Sequence, residues 1–404
     1  MKHKDIQVQS DKKVIRGLEG VVAAETSISF VDGENGNLFY QGYNIHQLAE
    51  KVSYDEVIYL LWYGDLPTKT QLKEFREKLI PEMTIRRRQA RWMVKSVPPE
   101  AHPMDVLRTS VSMLAVLDPE EHDNSEKANI NKAIRITAKL PMIIAWLHRT
   151  RKGEEPAEPD LKKSLAHNFM EMFTGRKLSE EGIRMSELLF ILHADHGMNA
   201  STFTARVTAS TLADMYAATT SALGSLKGPL HGGANQRVME MLEEIGEPSK
   251  AGKHIDKMLK EDKRIMGFGH RVYKVEDPRA THLRKWAKKL CEKRKRMDLY
   301  ELSRKIERKV MREKHIHPNV DFYSAVVQDA LGIPREYYTC MFAASRVSGW
   351  TAHIMEQHKN NRLMRPTSKY IGQYGRRFTP IERRHEPKNM EQPCERGDDV
   401  LSTD

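Results

Sequence analysis

The chain has 404 residues, 39% hydrophobic and 30% charged, the balance of an ordinary soluble globular protein with a sizeable core. No run approaches the eighteen or more apolar residues of a membrane helix, and the polar start Met1-Lys2-His3-Lys4-Asp5 resembles neither a secretory signal nor an acid-poor transit peptide. The net charge is +11, but +9 of it falls between Arg284 and Lys314, where 14 Lys and Arg meet 5 Asp and Glu; a uniformly basic nucleic-acid binder would look different.

In chain order, residues 21–42 read as β structure. Val21 to Val31 is rich in β-branched residues, Asp32-Gly33-Glu34-Asn35-Gly36 is a turn, and Leu38-Phe39-Tyr40 returns. Asn44 caps a short helix, Ser53 and Glu56 form a capping box that Gly64 closes, and Thr68 and Gln71 repeat the capping spacing. Periodicity predicts helices over 104–117, 131–150, 161–173, 185–194 and 203–223, with polar connections at 118–130 and 151–160. Glu301 to Arg312, with Leu302, Ile306 and Val310 in register, reads as an amphipathic helix with a basic outer face. From about Pro387 the chain is a polar tail. The prediction is a mainly α protein with a small N-terminal β element. Three widely spaced cysteines, Cys291, Cys340 and Cys394, make no disulfide framework and no metal-type pair, which points to the cytosol.

Three segments place an ionisable side chain among residues that bend or expose the backbone. They are Gly228-Pro229-Leu230-His231-Gly232-Gly233-Ala234-Asn235, Gly267-Phe268-Gly269-His270-Arg271 and Pro318-Asn319-Val320-Asp321. Two imidazoles and a carboxylate in such turns suit acid–base chemistry on a closely approached ligand. Each also has a plainer reading. His231 fits a structural turn, and Asp321 fits an N-cap, with Asn319 as the other cap candidate. Gly267-Phe268-Gly269 alone is a weak phosphate-loop signal, and no βαβ pattern surrounds it. A fourth segment, Leu192-His193-Ala194-Asp195-His196-Gly197, has two histidines three apart. No third ligand follows, so a polar rim for an oxygen-rich substrate fits better than a metal.

Together these segments, with Asp277-Pro278-Arg279, resemble the citrate synthases, specifically the short bacterial and archaeal type that includes 2-methylcitrate synthases. The likeness runs from Gly17-Leu18-Glu19-Gly20-Val21 to Tyr370-Ile371-Gly372. The resemblance implies a two-domain helical fold, with a large domain from 1–232 and 333–404 and a small domain at 233–332 closing on it. It implies condensation of acetyl-CoA with oxaloacetate, or of propionyl-CoA in the 2-methylcitrate variant. His231 would bond the thioester oxygen, Asp321 would remove the methyl proton, and His270 would donate to the oxaloacetate ketone. His196 would hold oxaloacetate, and Arg279, Arg346 and Arg365 would clamp its carboxylates, Arg365 from the second subunit of a homodimer. Coenzyme A contacts would include Arg271, Lys274, Arg376 and Arg377. Acetyl-CoA is then a substrate, and no metal or other cofactor, membrane or nucleic acid is implied.

A positive pocket of this kind favours the dicarboxylate and is expected to lower the pKa of nearby acids. The basic run would help capture the phosphates of coenzyme A, or is a solvated face. The rival from another class is a non-catalytic helical scaffold with a basic binding surface.

Overall fold

The computed structural model describes residues 13–384, apart from 86–93, 95, 156 and 374. The polar tail from Pro387 lies outside the described residues. By internal contacts, the described residues before 23 and after 364 form one unit, and Ala23–Met364 forms another. The first is mostly irregular, with short 3-10 turns at Arg16–Leu18 and Ile381–Arg383.

The second unit opens with a three-stranded antiparallel meander, β1 (Ser29–Asp32), β2 (Asn37–Tyr40) and β3 (Tyr43–Asn44), in which Ser29 pairs with Tyr40 and Asp32 with Asn37. The strand predicted from Val21 is therefore shorter. Residues 21–28 are irregular, because the four-residue β2 offers ladder bonds only to Ser29–Asp32.

Helices follow: α1 (Ile45–Lys51), α2 (Tyr54–Tyr63), α3 (Lys69–Leu79), α4 (Pro103–Val116), α5 (Glu126–Arg151), α6 (Leu165–Thr174), α7 (Glu180–His193), α8 (Ala200–Ala209), α9 (Met215–Leu226), α10 (Ala234–Ile245), α11 (Ala251–Lys260), α12 (Pro278–Lys293), α13 (Met297–Lys314), α14 (Val320–Leu331) and α15 (Tyr338–Lys359). Both capping boxes form, at Ser53/Glu56 and Thr68/Gln71, and Gly64 closes α2 in the left-handed conformation (φ 89°). Serines set three starts away from the periodicity estimate. Ser125 caps α5 at 126 rather than 131, Ser164 caps α6 at 165 rather than 161, and Ser179 caps α7 at 180 rather than 185. The helix predicted over 203–223 is two helices. Leu212 turns left-handed (φ 64°) and Asp214 caps α9 by accepting from the Tyr216 and Ala217 amides.

Helix α15 is buried from Tyr338 to Ile354 on every side and packs against α2, α5, α7, α8 and α9. It carries polar residues inward as well, Arg346 and His353 among them, so its interior position brings functional groups into the core. The segment 234–331 packs mainly on itself, α10 on α14, α11 on α13 and α12 on α14. Among the described residues no helix is long and apolar enough to cross a membrane.

The amphipathic reading of α13 is met, with Leu302, Ile306 and Val310 buried and Arg308 outward. Ile306→Ala is expected to cost about 2–5 kcal/mol by transfer and cavity terms, whereas Arg308→Ala should stay within about 0.5 kcal/mol. Urea unfolding of the two variants checks the contrast.

Candidate active site

His231 lies in the turn between α9 and α10. The turn is tied by its own backbone, with the His231 amide donating to the Gly228 carbonyl (3.0 Å) and the Gly232 amide to the Leu226 carbonyl (3.0 Å). A Cβ at Gly232 would collide with that Leu226 carbonyl, so glycine is required for the turn to close. His231 Nε2 accepts from the Ser201 amide (3.3 Å) and sits 2.8 Å from Ser201 Oγ. That hydroxyl accepts from Trp350 Nε1 (3.1 Å) and lies 2.8 Å from Asn199 Oδ1. With Nε2 an acceptor, the neutral ring carries its proton on Nδ1. Burial, and then Arg346, hold the His231 pKa down at about 4.

His270 is held the opposite way round. Its Nδ1 accepts from the Val272 amide (3.0 Å) and the Tyr273 amide (3.1 Å), so the proton of the neutral ring is on Nε2. Burial, and then Arg279, bring its pKa to about 4. The His270 ring lies 5.0 Å from that of His196 and 4.7 Å from Tyr273, and His196 Nε2 is 3.2 Å from the Tyr273 hydroxyl. Burial and Arg279 keep His196 well below the ordinary imidazole value.

The His270 and Asp321 segments are stitched together. The Gly269 amide donates to the His317 carbonyl (3.0 Å), the Asn319 amide to the Gly267 carbonyl (2.9 Å), and Asn319 Nδ2 to the Gly269 carbonyl (2.9 Å). Gly267 is left-handed (φ 80°), and a Cβ there would meet Phe322 and Val238. Asn319, not Asp321, is the N-cap of α14, its Oδ1 accepting from the Asp321 amide (3.0 Å). The Asp321 side chain is thus released from capping, and its buried Oδ1 has no hydrogen-bond partner among the described residues. Burial raises the Asp321 pKa to about 7, with Arg279 and Arg346 opposing. The expectation that the arginines would depress nearby acids fails here, because loss of hydration outweighs their attraction.

Arg279 and Arg346 are both buried and both act on this cluster. Arg279 lies just inside α12 and forms a two-pronged pair with Asp277, through Nε (2.9 Å) and Nη2 (2.7 Å). Burial opposes the Asp277 charge, yet Arg279 holds its pKa below the usual carboxylate range. Arg346 donates through Nε to the His193 carbonyl (2.6 Å) and lies over the Phe342 ring (4.7 Å), which also flanks His231 (6.1 Å). Burial lowers Arg346 to about 10, which leaves it protonated at neutral pH.

The two histidines of the fourth segment do different things. His193 is buried with Nδ1 against the Leu189 carbonyl (2.8 Å), so it is no part of a polar rim; only His196 reaches the cluster. Among the described residues no three His, Cys, Asp or Glu side chains are placed to hold a metal ion.

Arg365, Arg376 and Arg377 belong to the terminal unit, where all three are exposed. Arg271 and Lys274 are exposed on the His270 loop, and Lys274 pairs with Glu34 (2.5 Å). In the basic run, Arg284, Lys288, Lys289, Lys293, Arg296, Arg304, Lys309 and Arg312 all have acidic partners, some within the run and others, Glu181, Asp256 and Asp329, outside it.

Sequence reasoning missed Asp277, Tyr273, Ser201 and Asn235 as site residues. Asp277 had one local signal, since Asp before Pro at a helix start is an N-cap pattern. Asn235 stands within the His231 segment itself; it is fully buried on α10, and both its amide atoms lack a partner among the described residues.

The sequence matches the family described as "Citrate synthase, C-terminal domain" over residues 17–367. It is 47% identical to citrate synthase 2 of Bacillus subtilis (strain 168), over 91% of this chain and 99% of that protein. It is 41% identical to 2-methylcitrate synthase 1 of Corynebacterium glutamicum, over 93% of this chain and 100% of the relative. Among solved structures it resembles citrate synthase from Thermotoga maritima MSB8 (TM-score 0.84, 42% identity, 93% and 100% covered). It also resembles the ternary complex of carboxymethyl coenzyme A and oxaloacetate with citrate synthase from Thermoplasma acidophilum (TM-score 0.87, 33% identity, 92% and 100% covered).

The buried groups give stability a pH dependence whose sign can be worked out. His148, His231, His270 and His282 are held at about 4 and His193 at about 3, so below 6.5 the unfolded chain binds protons that the folded one refuses. Stability is expected to fall as pH drops from about 6.5 to about 4. Asp321 acts oppositely. It stays protonated in the folded chain up to about 7 but ionises from 3.8 when unfolded, so its contribution falls as pH rises through that window. Urea unfolding of wild type and Asp321→Asn at pH 4, 5.5 and 7 tests this, since the stability of the variant relative to wild type should grow with pH.

Proposed function

The chain belongs to the citrate synthase family, and we propose that it condenses acetyl-CoA with oxaloacetate and water to give citrate and coenzyme A. The observation that carries this reading is a carboxylate whose buried Oδ1 has no hydrogen-bond partner among the described residues, together with two neutral imidazoles whose tautomers leave Nδ1–H of His231 and Nε2–H of His270 as donors. The scaffold alternative has nothing to explain such an arrangement.

In the proposed reaction Asp321 takes a proton from the acetyl methyl group. An ordinary carboxylate is a feeble base for a C–H bond. Its elevated pKa strengthens it, and the His231 Nδ1–H stabilises the charge that develops on the thioester oxygen. The enol carbon then attacks the oxaloacetate ketone, and the ketone oxygen takes the Nε2 proton of His270 as the carbon–carbon bond forms and becomes the citryl hydroxyl. Water finally cleaves the citryl thioester and releases the thiol. Arg279 and Arg346 bind the carboxylates in the geometry that guanidinium provides, with His196 beside them. The acceleration comes from positioning and electrostatics, with no metal or redox cofactor in the scheme.

We further propose a homodimer in the cytoplasm, in which the partner subunit's Arg365 completes the oxaloacetate clamp. Residues 233–332 act as a small domain that closes over the substrates and excludes water until the carbon–carbon bond exists. The glycines at its borders support that reading, with Gly332 left-handed (φ 77°) at the end of α14. The Arg271–Lys274 stretch, with Arg376 and Arg377, is proposed for coenzyme A phosphates. Relatives of both names match this chain, and one methylene in an apolar pocket separates acetyl from propionyl by only about 1–3 kcal/mol.

Thiol release from acetyl-CoA should require oxaloacetate and exceed release from propionyl-CoA; the reverse order would make the protein a 2-methylcitrate synthase, and a silent assay with folded protein would leave only the scaffold. Asp321→Asn is expected to lower kcat by roughly 10²- to 10⁴-fold with oxaloacetate binding retained. Mixed dimers of Arg365→Ala and Asp321→Asn subunits should recover activity that neither homodimer has. Absence of complementation contradicts the shared clamp.

A further inference from the structure

The β1–β2 hairpin touches both loops that carry the oxaloacetate-side histidines. At its base, the paired residues Ser29 and Tyr40 grip the turn holding His196. Ser29 Oγ donates to Asp195 Oδ2 and accepts from the Gly197 amide (3.0 Å). The Tyr40 hydroxyl meets the Ile191 carbonyl (3.0 Å) and the Asp195 carbonyl (2.9 Å). At its tip, the Gly33 carbonyl accepts from the Lys274 amide (2.9 Å), within the loop that runs from His270 to Arg279. The tip is itself braced, because Asp32 accepts from the Asn35 amide (3.1 Å) and from Asn35 Nδ2 (2.9 Å).

The fit at the tip is close. A Cβ at Gly33 would fall on the Val272 carbonyl, and one at Gly36 would meet the Val275 side chain and the Glu276 carbonyl (3.0 Å). Gly36 also needs glycine for its own backbone (φ 66°). Gly33 is not among the positive-φ glycines, so its hydrogen side chain is required by the neighbouring loop and not by the turn. The Val272 and Tyr273 amides on that loop are the two donors that fix the His270 tautomer. Glu34 and Lys274 also pair here, but both are about 70% exposed (69% and 72%), so the pair contributes little to the docking.

We propose that the hairpin is a clasp that sets the spacing between His196 and His270, with Gly33 as the positioning residue at its contact. This rests on the oxaloacetate reading of the His196–Arg279 pocket. The strands form a short stiff connection between the two loops, so a displacement at the tip passes directly to the His270 side of the pocket. Residues of the clasp touch no reacting atom. They act through the loop backbone.

The test is Gly33→Ala in the full-length enzyme, which forces the loop away without straining the turn. The oxaloacetate KM is expected to rise ~10-fold or more, given how steeply activity depends on placement within about 1 Å. In ¹⁵N-histidine spectra the His270 ring signals should shift while those of His231 stay in place. Unchanged oxaloacetate KM and unchanged His270 signals overturn the proposal. If the variant does not fold, amide exchange in the wild-type protein decides. A Lys274 amide protected by its bond to Gly33 supports the clasp, and one exchanging at the rate of an unstructured chain refutes it. The spectra and the exchange need no substrate, so a wild type with no oxaloacetate-dependent thiol release would sink the functional reading separately.

Discussion

The first turn of α14 has amides that need acceptors, and two residues other than Asp321 supply them. Asn319 Oδ1 takes the Asp321 amide, and Asp277 Oδ2 takes the Val320 amide (3.1 Å). The Asp321 carboxylate therefore sits at a helix start, its Oδ1 buried, without serving as the cap. A group in that position keeps its proton to a higher pH than a solvated carboxylate would. The same two acceptors reach further, since Asn319 also binds the Gly269 carbonyl and Asp277 also holds Arg279. One local arrangement thus places the base, joins it to the His270 loop and fixes an arginine.

Electrostatics in the cluster are divided between charges that are paired and groups that are kept neutral. Asp277 and Arg279 neutralise one another in the interior, which is tolerable because the pair is two-pronged and the carboxylate accepts two further amides. The imidazoles are held low by burial first and then by a nearby guanidinium, Arg346 at His231, Arg279 at His270 and both at His196. A neutral imidazole carries one N–H donor, and the backbone decides which nitrogen bears it. At His231 a serine amide takes Nε2; at His270 two loop amides take Nδ1. Opposite tautomers follow from opposite surroundings.

The sequence carried what is local. Capping boxes at Ser53 and Thr68, the left-handed stop at Gly64 and the apolar stripe of α13 are set by residues three or four apart, and they form as expected. The break at 210–214 was hidden because the apolar period continues across it, and only the capping by Asp214 reveals the new start. The His231, His270 and Asp321 segments were legible as chemistry because glycine and proline turns around ionisable groups are unusual. Their joining was not. The Ser201–His231 contact spans 30 residues, and Val320 meets Asp277 across 43. Nor does a count of nearby arginines reveal the direction of the Asp321 shift, since that depends on how much water the fold removes.

Burial raises the Asp321 pKa and leaves its Oδ1 without a hydrogen-bond partner among the described residues, so that the carboxyl can act as a base near neutral pH. Its titration, followed by ¹³C-carboxyl NMR and assigned by subtraction of the Asp321→Asn spectrum, measures this directly. A midpoint near 7 is expected in the unliganded protein. A midpoint at or below 3.8, the ordinary value, would mean a solvated or ion-paired carboxylate and would contradict it.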